Sequence, residues 1–150
     1  MSRQRVAIAL GDLHPHLESA AKAARASYEA GLAALRLGRT FGEVVTAMKR
    51  PLQETGAWHP HPLVHAVNPC GAVCGSGTGL GLLPETARYG LLAEQPTIGS
   101  DLPLSPGMTF AFGPNRAYGR RLVGLGGTVV VGEDAPIELN TVTTHLMRSH

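Results

Sequence analysis

The spacing of apolar residues changes along this chain, and that change constrains the fold more than any other feature. Leu17, Ala20, Ala21, Ala24, Tyr28, Leu32 and Leu35 recur every three or four positions, the stripe of a helix buried along one side. Met108, Phe110 and Phe112 alternate with Thr109 and Ala111, the period of two that a strand requires. Helices first and paired strands later predict an α+β fold, with two N-terminal helices packed on an antiparallel sheet. Thirty of the 150 residues are Gly or Pro, too many breakers for a simple helical bundle. An apolar fraction of 43% with only 16% charged residues argues against disorder.

The chain divides into three parts. Over residues 5–55, Val6 to Leu10 reads as a short strand closed by Gly11 and Asp12. Asp12 or His14 caps a helix running to Leu37, with Pro15 in the first turn, where its missing N–H costs little. Gly38 ends that helix. Thr40 and Glu43 have the spacing of a capping box opening a second one, whose buried face carries Val44, Val45, Met48 and Leu52. Pro51 is expected to kink or split it, and Gly56 to end it. Residues 57–104 read as irregular. The segment 59–67 is extended, its prolines pointing to an edge strand. The Gly run from Gly71 to Gly81 is flexible or tightly turning, and residues 85–103 are loop. From 105 to 140 the pattern is of hairpins: a turn at Ser105, Pro106 and Gly107, strand material at 108–112, 122–123 and 128–131, a turn at 132–136 and a return at 137–139.

Thirteen basic and eleven acidic residues are spread thinly, so no nucleic-acid footprint is expected. Two cysteines cannot build a disulfide framework. The apolar run at 6–10 is too short for a signal sequence, and no stretch approaches the roughly 20 apolar residues of a membrane helix. The expectation is a cytoplasmic protein with no membrane partner.

Three local patterns raise a question of chemistry. The Gly75 to Gly81 run lacks both the third glycine of a dinucleotide fingerprint and the lysine of a phosphate loop, and reads as a plain loop. Ser76 lacks the glycine two residues before it that a nucleophile elbow needs. His59, His61 and His65 share one face of an ideal strand, with Cys70 and Cys74 close behind. Imidazole and thiolate are preferred zinc ligands, but the spacing fits no standard finger. The bland reading is packed cysteines and exposed histidines.

The segment from Tyr28 to Val44 resembles the two-helix segment of the creatinase/prolidase/methionine aminopeptidase family, in which a long helix ends at a Gly and a Thr-capped helix follows. Leu104 to Pro114 resembles that family's L-x-P-G-M-x-F-x-x-E-P strand. Thr128 to Val131, Glu133, Asp134 and Ile137 to Leu139 resemble its closing hairpin. The likeness covers roughly residues 6–140 and is nearest the Xaa-Pro peptidases. It implies a partial "pita-bread" fold, with residues 1–150 forming a single metallopeptidase-like domain that lacks the N-terminal part of the family's full domain.

The resemblance also implies a pair of divalent cations (Mn, Co or Zn) about 3.5 Å apart, sharing a water that attacks a peptide carbonyl. The family holds them with two Asp, one His and two Glu. The His maps to His65. The first Glu maps to Gly113 and the second to Gly126. The Asp pair precedes the first long helix, where this chain has only Asp12, out of place. Glu133, Asp134 and Glu138 lie in a turn and a terminal strand, away from the missing ligands. A glycine offers no side-chain oxygen, and one imidazole does not hold two cations. Metal binding is therefore expected to be weak or absent.

Three readings follow: a pseudoenzyme that binds a peptide or a partner in the old cleft, a working aminopeptidase or dipeptidase completed by another chain, and a metal module built from His59, His61, His65, Cys70 and Cys74. Because the family's sheet continues into strands this chain lacks, an unpaired edge and a homo-oligomer are expected.

Overall fold

The computed structural model describes residues 5–54, 59–67, 71–75, 95–118 and 121–149. Its elements are β1 (Ile8–Leu10), α1 (Pro15–Ala34), α2 (Phe41–Gln53), β2 (Val64–Ala66), β3 (Thr109–Phe112), β4 (Asn115–Tyr118), β5 (Arg121–Gly124), β6 (Gly127–Val130), β7 (Ile137–Glu138), a 3-10 turn (Val142–Thr144) and β8 (Met147–Ser149).

Of the two expected caps for α1, His14 serves: its Nδ1 accepts from the His16 N–H at 3.2 Å, and Pro15 opens the helix. The helix stops at Ala34, short of Leu37, because Leu35 turns out of the helical region (φ −77°, ψ 75°) while its N–H still bonds back to the Gly31 and Leu32 carbonyls. The capping box of α2 is complete. The Glu43 N–H donates to Thr40 Oγ1 at 3.3 Å, and the Thr40 N–H donates to Glu43 Oε2 at 2.8 Å. That second bond, together with the Arg39 guanidinium, holds the Glu43 carboxyl below the usual carboxylate range. Pro51, expected to break α2, instead lies in its last turn, and the helix carries on to Gln53. So near the end, one missing N–H removes little of the ladder. Gly56, the expected terminator, falls outside the described residues.

Four strands form an antiparallel sheet in the order β2-β3-β6-β7. The predicted edge strand exists, but only over 64–66. His59 and His61 precede it in irregular backbone, where Pro60 and Pro62 have no N–H to give to a ladder. The three histidines therefore do not share one strand face. A β4–β5 hairpin, of which only the 122–123 segment was predicted, pairs Asn115 with Gly124. A further pairing has no sequence signal: β8 runs parallel to β1, with Ile8 opposite Met147.

The helices bury their stripes against the sheet. Tyr28, Phe41, Val44, Met48, Leu52, Phe110, Phe112 and Val129 form one core cluster, each side chain worth about 1.5–3 kcal/mol in burial. Tyr28 meets Phe112 edge-on at 5.7 Å, and Phe41 stacks on Phe110 at 5.4 Å. The α1 stripe is wider than predicted, taking in Ala23, Ser27 and Gly31 as well, while Leu17 and Leu32 are only half-buried. Ser27 is accommodated because its hydroxyl donates to the Met48 carbonyl at 2.7 Å. Among the described residues, no helix is long and apolar enough to cross a membrane.

Candidate functional site

The face of β3 away from the helices opens into a cleft of about 90 Å³. It is lined by Arg5, His61, Pro62, His65, Ala111, Phe112 and Gly113. Strand register explains the company. His65 stands opposite Ala111 on β2, and Thr128 stands opposite the same residue on β6. Where β3 ends, the Gly113 N–H donates to the Leu63 carbonyl at 2.7 Å.

His65 Nδ1 lies 3.0 Å from the Ala66 carbonyl. A carbonyl only accepts, so the proton sits on Nδ1 and the ring's other nitrogen carries the lone pair in the neutral form. His61 is placed through its backbone. Buried Asn115 accepts the His61 N–H at 3.2 Å and donates to the His61 carbonyl at 3.1 Å and the Gly113 carbonyl at 2.8 Å. Asn115 thus ties the two walls of the cleft together.

Arg5 closes the third side. Its N–H donates to the Gly126 carbonyl at 3.4 Å, and its side chain runs past two glycines. A Cβ on Gly113 would lie 3.5 Å from Arg5 Nε, and one on Gly124 would lie 3.2 Å from Arg5 Cδ. Gly126 is different in kind. Its φ is 139°, its N–H donates to the Thr143 carbonyl at 3.0 Å, and a Cβ there would run into the Phe112 carbonyl oxygen. Only glycine adopts this conformation readily.

The remaining candidates lie apart. Asp12, Glu133 and Asp134 are exposed. Glu138 is on β7, at the opposite edge of the sheet from His65, where it accepts the Tyr28 hydroxyl at 2.8 Å. Burial, and the Glu138 carboxylate beside it, push the Tyr28 phenol well above its ordinary range. His59 is buried, with Nδ1 3.0 Å from the His61 carbonyl. Cys74 is buried and its thiol donates to the Gly75 carbonyl at 3.1 Å. Cys70 and Ser76 lie outside the described residues, as do residues 76–81 of the Gly-rich run. Among the described residues, no three His, Cys, Asp or Glu side chains come together as a metal-binding group.

The two-cation centre needs carboxylates both as ligands and to offset charge. The described lining of the cleft offers two imidazoles and a guanidinium, and no carboxylate. These residues do not fit a dinuclear centre. Neither Arg5 nor Asn115 stood out in the sequence. Arg5 is one basic residue before an apolar run, and the role of Asn115 depends on a turn of backbone 54 residues away.

The fold is shared with solved peptidase structures. The sequence profile of metallopeptidase family M24 matches residues 2–135, and the chain belongs to that family. Among solved structures, the dipeptidase of Pyrococcus horikoshii OT3 superposes with a TM-score of 0.72 at 20% identity, over 99% of this chain and 37% of its own. Dipeptidase PepE of Mycobacterium ulcerans gives 0.70 at 23% identity, over 94% and 34%. The X-Pro aminopeptidase of Thermotoga maritima MSB8 gives 0.67 at 16% identity, over 95% and 36%. At these identities the likeness establishes the fold. The chain spans about a third of the length of each of these proteins. No curated protein matches the chain by sequence.

Proposed function

We propose that this chain is a pseudoenzyme of metallopeptidase family M24, which binds a peptide in the family's cleft without hydrolysing it. One observation carries the reading. Beside Gly113, where the resemblance implies a metal-binding glutamate, the nearest group is the Arg5 guanidinium. A fixed cation there opposes a second cation and gives a metal-bound water no carboxylate to lean on. Gly126, the second implied glutamate, supports the same reading through a backbone that accepts no side chain as it stands. Of the implied ligand positions at 65, 113 and 126, His65 alone carries a donor side chain, so any Mn, Co or Zn held here is held weakly.

The reading includes a homo-oligomer and a cytoplasmic location. Self-association is supported by the exposed residues of the β1 segment: Val6, Ile8 and Leu10 are 51, 58 and 80% exposed, an apolar row that favours a partner. A light-scattering mass equal to the monomer would remove that part, and cell fractionation checks the location.

The main test is an Xaa-Pro dipeptide assay with added Mn²⁺ or Co²⁺. We expect no turnover above a metal-only blank. Turnover that a chelator abolishes would overturn the reading in favour of an active peptidase completed by another chain.

A further inference from the structure

We propose that the groove between α1 and the C-terminal segment is an interaction surface, which takes an acidic side chain carried between two aliphatic ones on an extended segment of a partner protein. None of its lining residues lines the cleft, and its occupant is independent of what that cleft does.

The groove encloses about 350 Å³, and its two walls are tied together at both ends. At one end Arg148, on β8, meets Glu18, on α1, at 3.0 Å. At the other, Arg25 donates to Thr144 Oγ1 at 2.7 Å and to the Thr144 carbonyl at 3.3 Å. Arg25 also holds Glu29 at 2.7 Å and lies over the Tyr28 ring at 5.5 Å. Walls fixed in this way lose little entropy when a ligand arrives.

Charge selects the occupant. Both glutamates of the lining are engaged by arginines. Lys22, exposed one turn along α1 from Glu18, is then the surplus charge, set between two neutral pairs. A single negative charge is matched there. A polyanion is not, because a phosphate backbone laid along the groove would run onto Glu18 and Glu29. The rest of the floor is apolar. Ala21 and Leu125 are buried, and Leu146 packs against the cluster of Ala20, Ala21 and Val123.

Length sets how much of the partner enters. Glu18 and Arg25 are two turns apart on α1, about 10 Å, which is the span of about three residues of extended chain. An acidic residue between two aliphatic ones fills that window. The groove is open to solvent, whereas a small-molecule site encloses most of its ligand, so a chain laid across it is the better fit.

The test is an NMR titration of the full chain with three tripeptides, each N-acetylated and C-amidated, at matched ionic strength. Their sequences are Leu-Glu-Leu, Leu-Gln-Leu and Leu-Lys-Leu. The expected result is saturable amide shifts at Ala21, Lys22 and Leu146, tightest with the Glu peptide and weakest with the Lys peptide. Lys22→Gln should weaken the Glu peptide about threefold, and Lys22→Glu should reverse the order of the Glu and Lys peptides. Ala26→Trp, at an exposed helix position lining the groove, should fill it and abolish binding of all three. Arg36→Gln, exposed and outside the groove, should leave binding unchanged. Absence of saturation with the native chain, equal binding of the three peptides, acetate shifting the same amides as far as the Glu peptide does, or binding that survives Ala26→Trp would each overturn the surface.

Discussion

The helical side of the sheet and the cleft on its other side are built by opposite means. Under the helices, space is filled to the limit. A Cβ on Gly31 would lie 2.6 Å from Phe112 Cε2 and 2.7 Å from Met48 Cγ, so α1 approaches the sheet as closely as a bare backbone allows. Across β3, space is left open. A Cβ on Gly113 would meet nothing nearer than the side of Arg5. Phe112 belongs to both regions, packing on Tyr28 and lining the cleft. The difference separates residues retained for packing from residues free to change the chemistry.

Substitutions can break or sharpen that contrast. The largest effect should come from Phe112→Ala, which empties the shared wall. We expect a loss of about 3–5 kcal/mol in chemical denaturation. Gly126→Ala should follow at about 3 kcal/mol, because a side chain is forced into a glycine-only conformation against the Phe112 carbonyl. A neutral result would show that the strand shifts readily and that a glutamate could stand there.

Tyr28→Phe should cost about 1 kcal/mol at neutral pH for its hydrogen bond to Glu138. It also has a signature in pH. The folded phenol titrates above its ordinary value, so above about pH 10 the unfolded chain loses a proton that the folded chain keeps. Stability should therefore fall as pH rises beyond that point, and Tyr28→Phe should flatten the fall. Identical alkaline slopes in the two proteins would refute the burial of the hydroxyl. Gly113→Ala should be the mildest, within about 0.5 kcal/mol, since the new methyl reaches only van der Waals contact.

The same contrast explains what could be read in the sequence. The helical layer was legible because its signals are local. The capping box needs Thr40 and Glu43 three residues apart, and the buried stripe needs only regular spacing. The period of two found β3 for the same reason. Ala111, which alternates with the two phenylalanines, is buried as well, because β2 and β6 flank it on both edges. The cleft was legible only in part. His65 and Gly113 were singled out, and both line it. Arg5 and Asn115 were not, since they act across long separations through backbone contacts that leave no periodic trace. The proposed alignment of His59, His61 and His65 failed because Pro60 and Pro62 keep the strand from starting before Val64.

The parallel pairing of β1 with β8 carries a consequence in time. Ile8 waits for Met147, nearly the whole chain later, and such distant pairings form late in folding. Amide exchange at Ala9 should therefore stay fast in a chain stopped before Met147 and slow only once the last strand is made. Arg5 lies just ahead of β1, and its own backbone partner, Gly126, also lies far along the chain from it. The histidines of the cleft, His61 and His65, are therefore in the nascent chain long before the strand that pairs with β1.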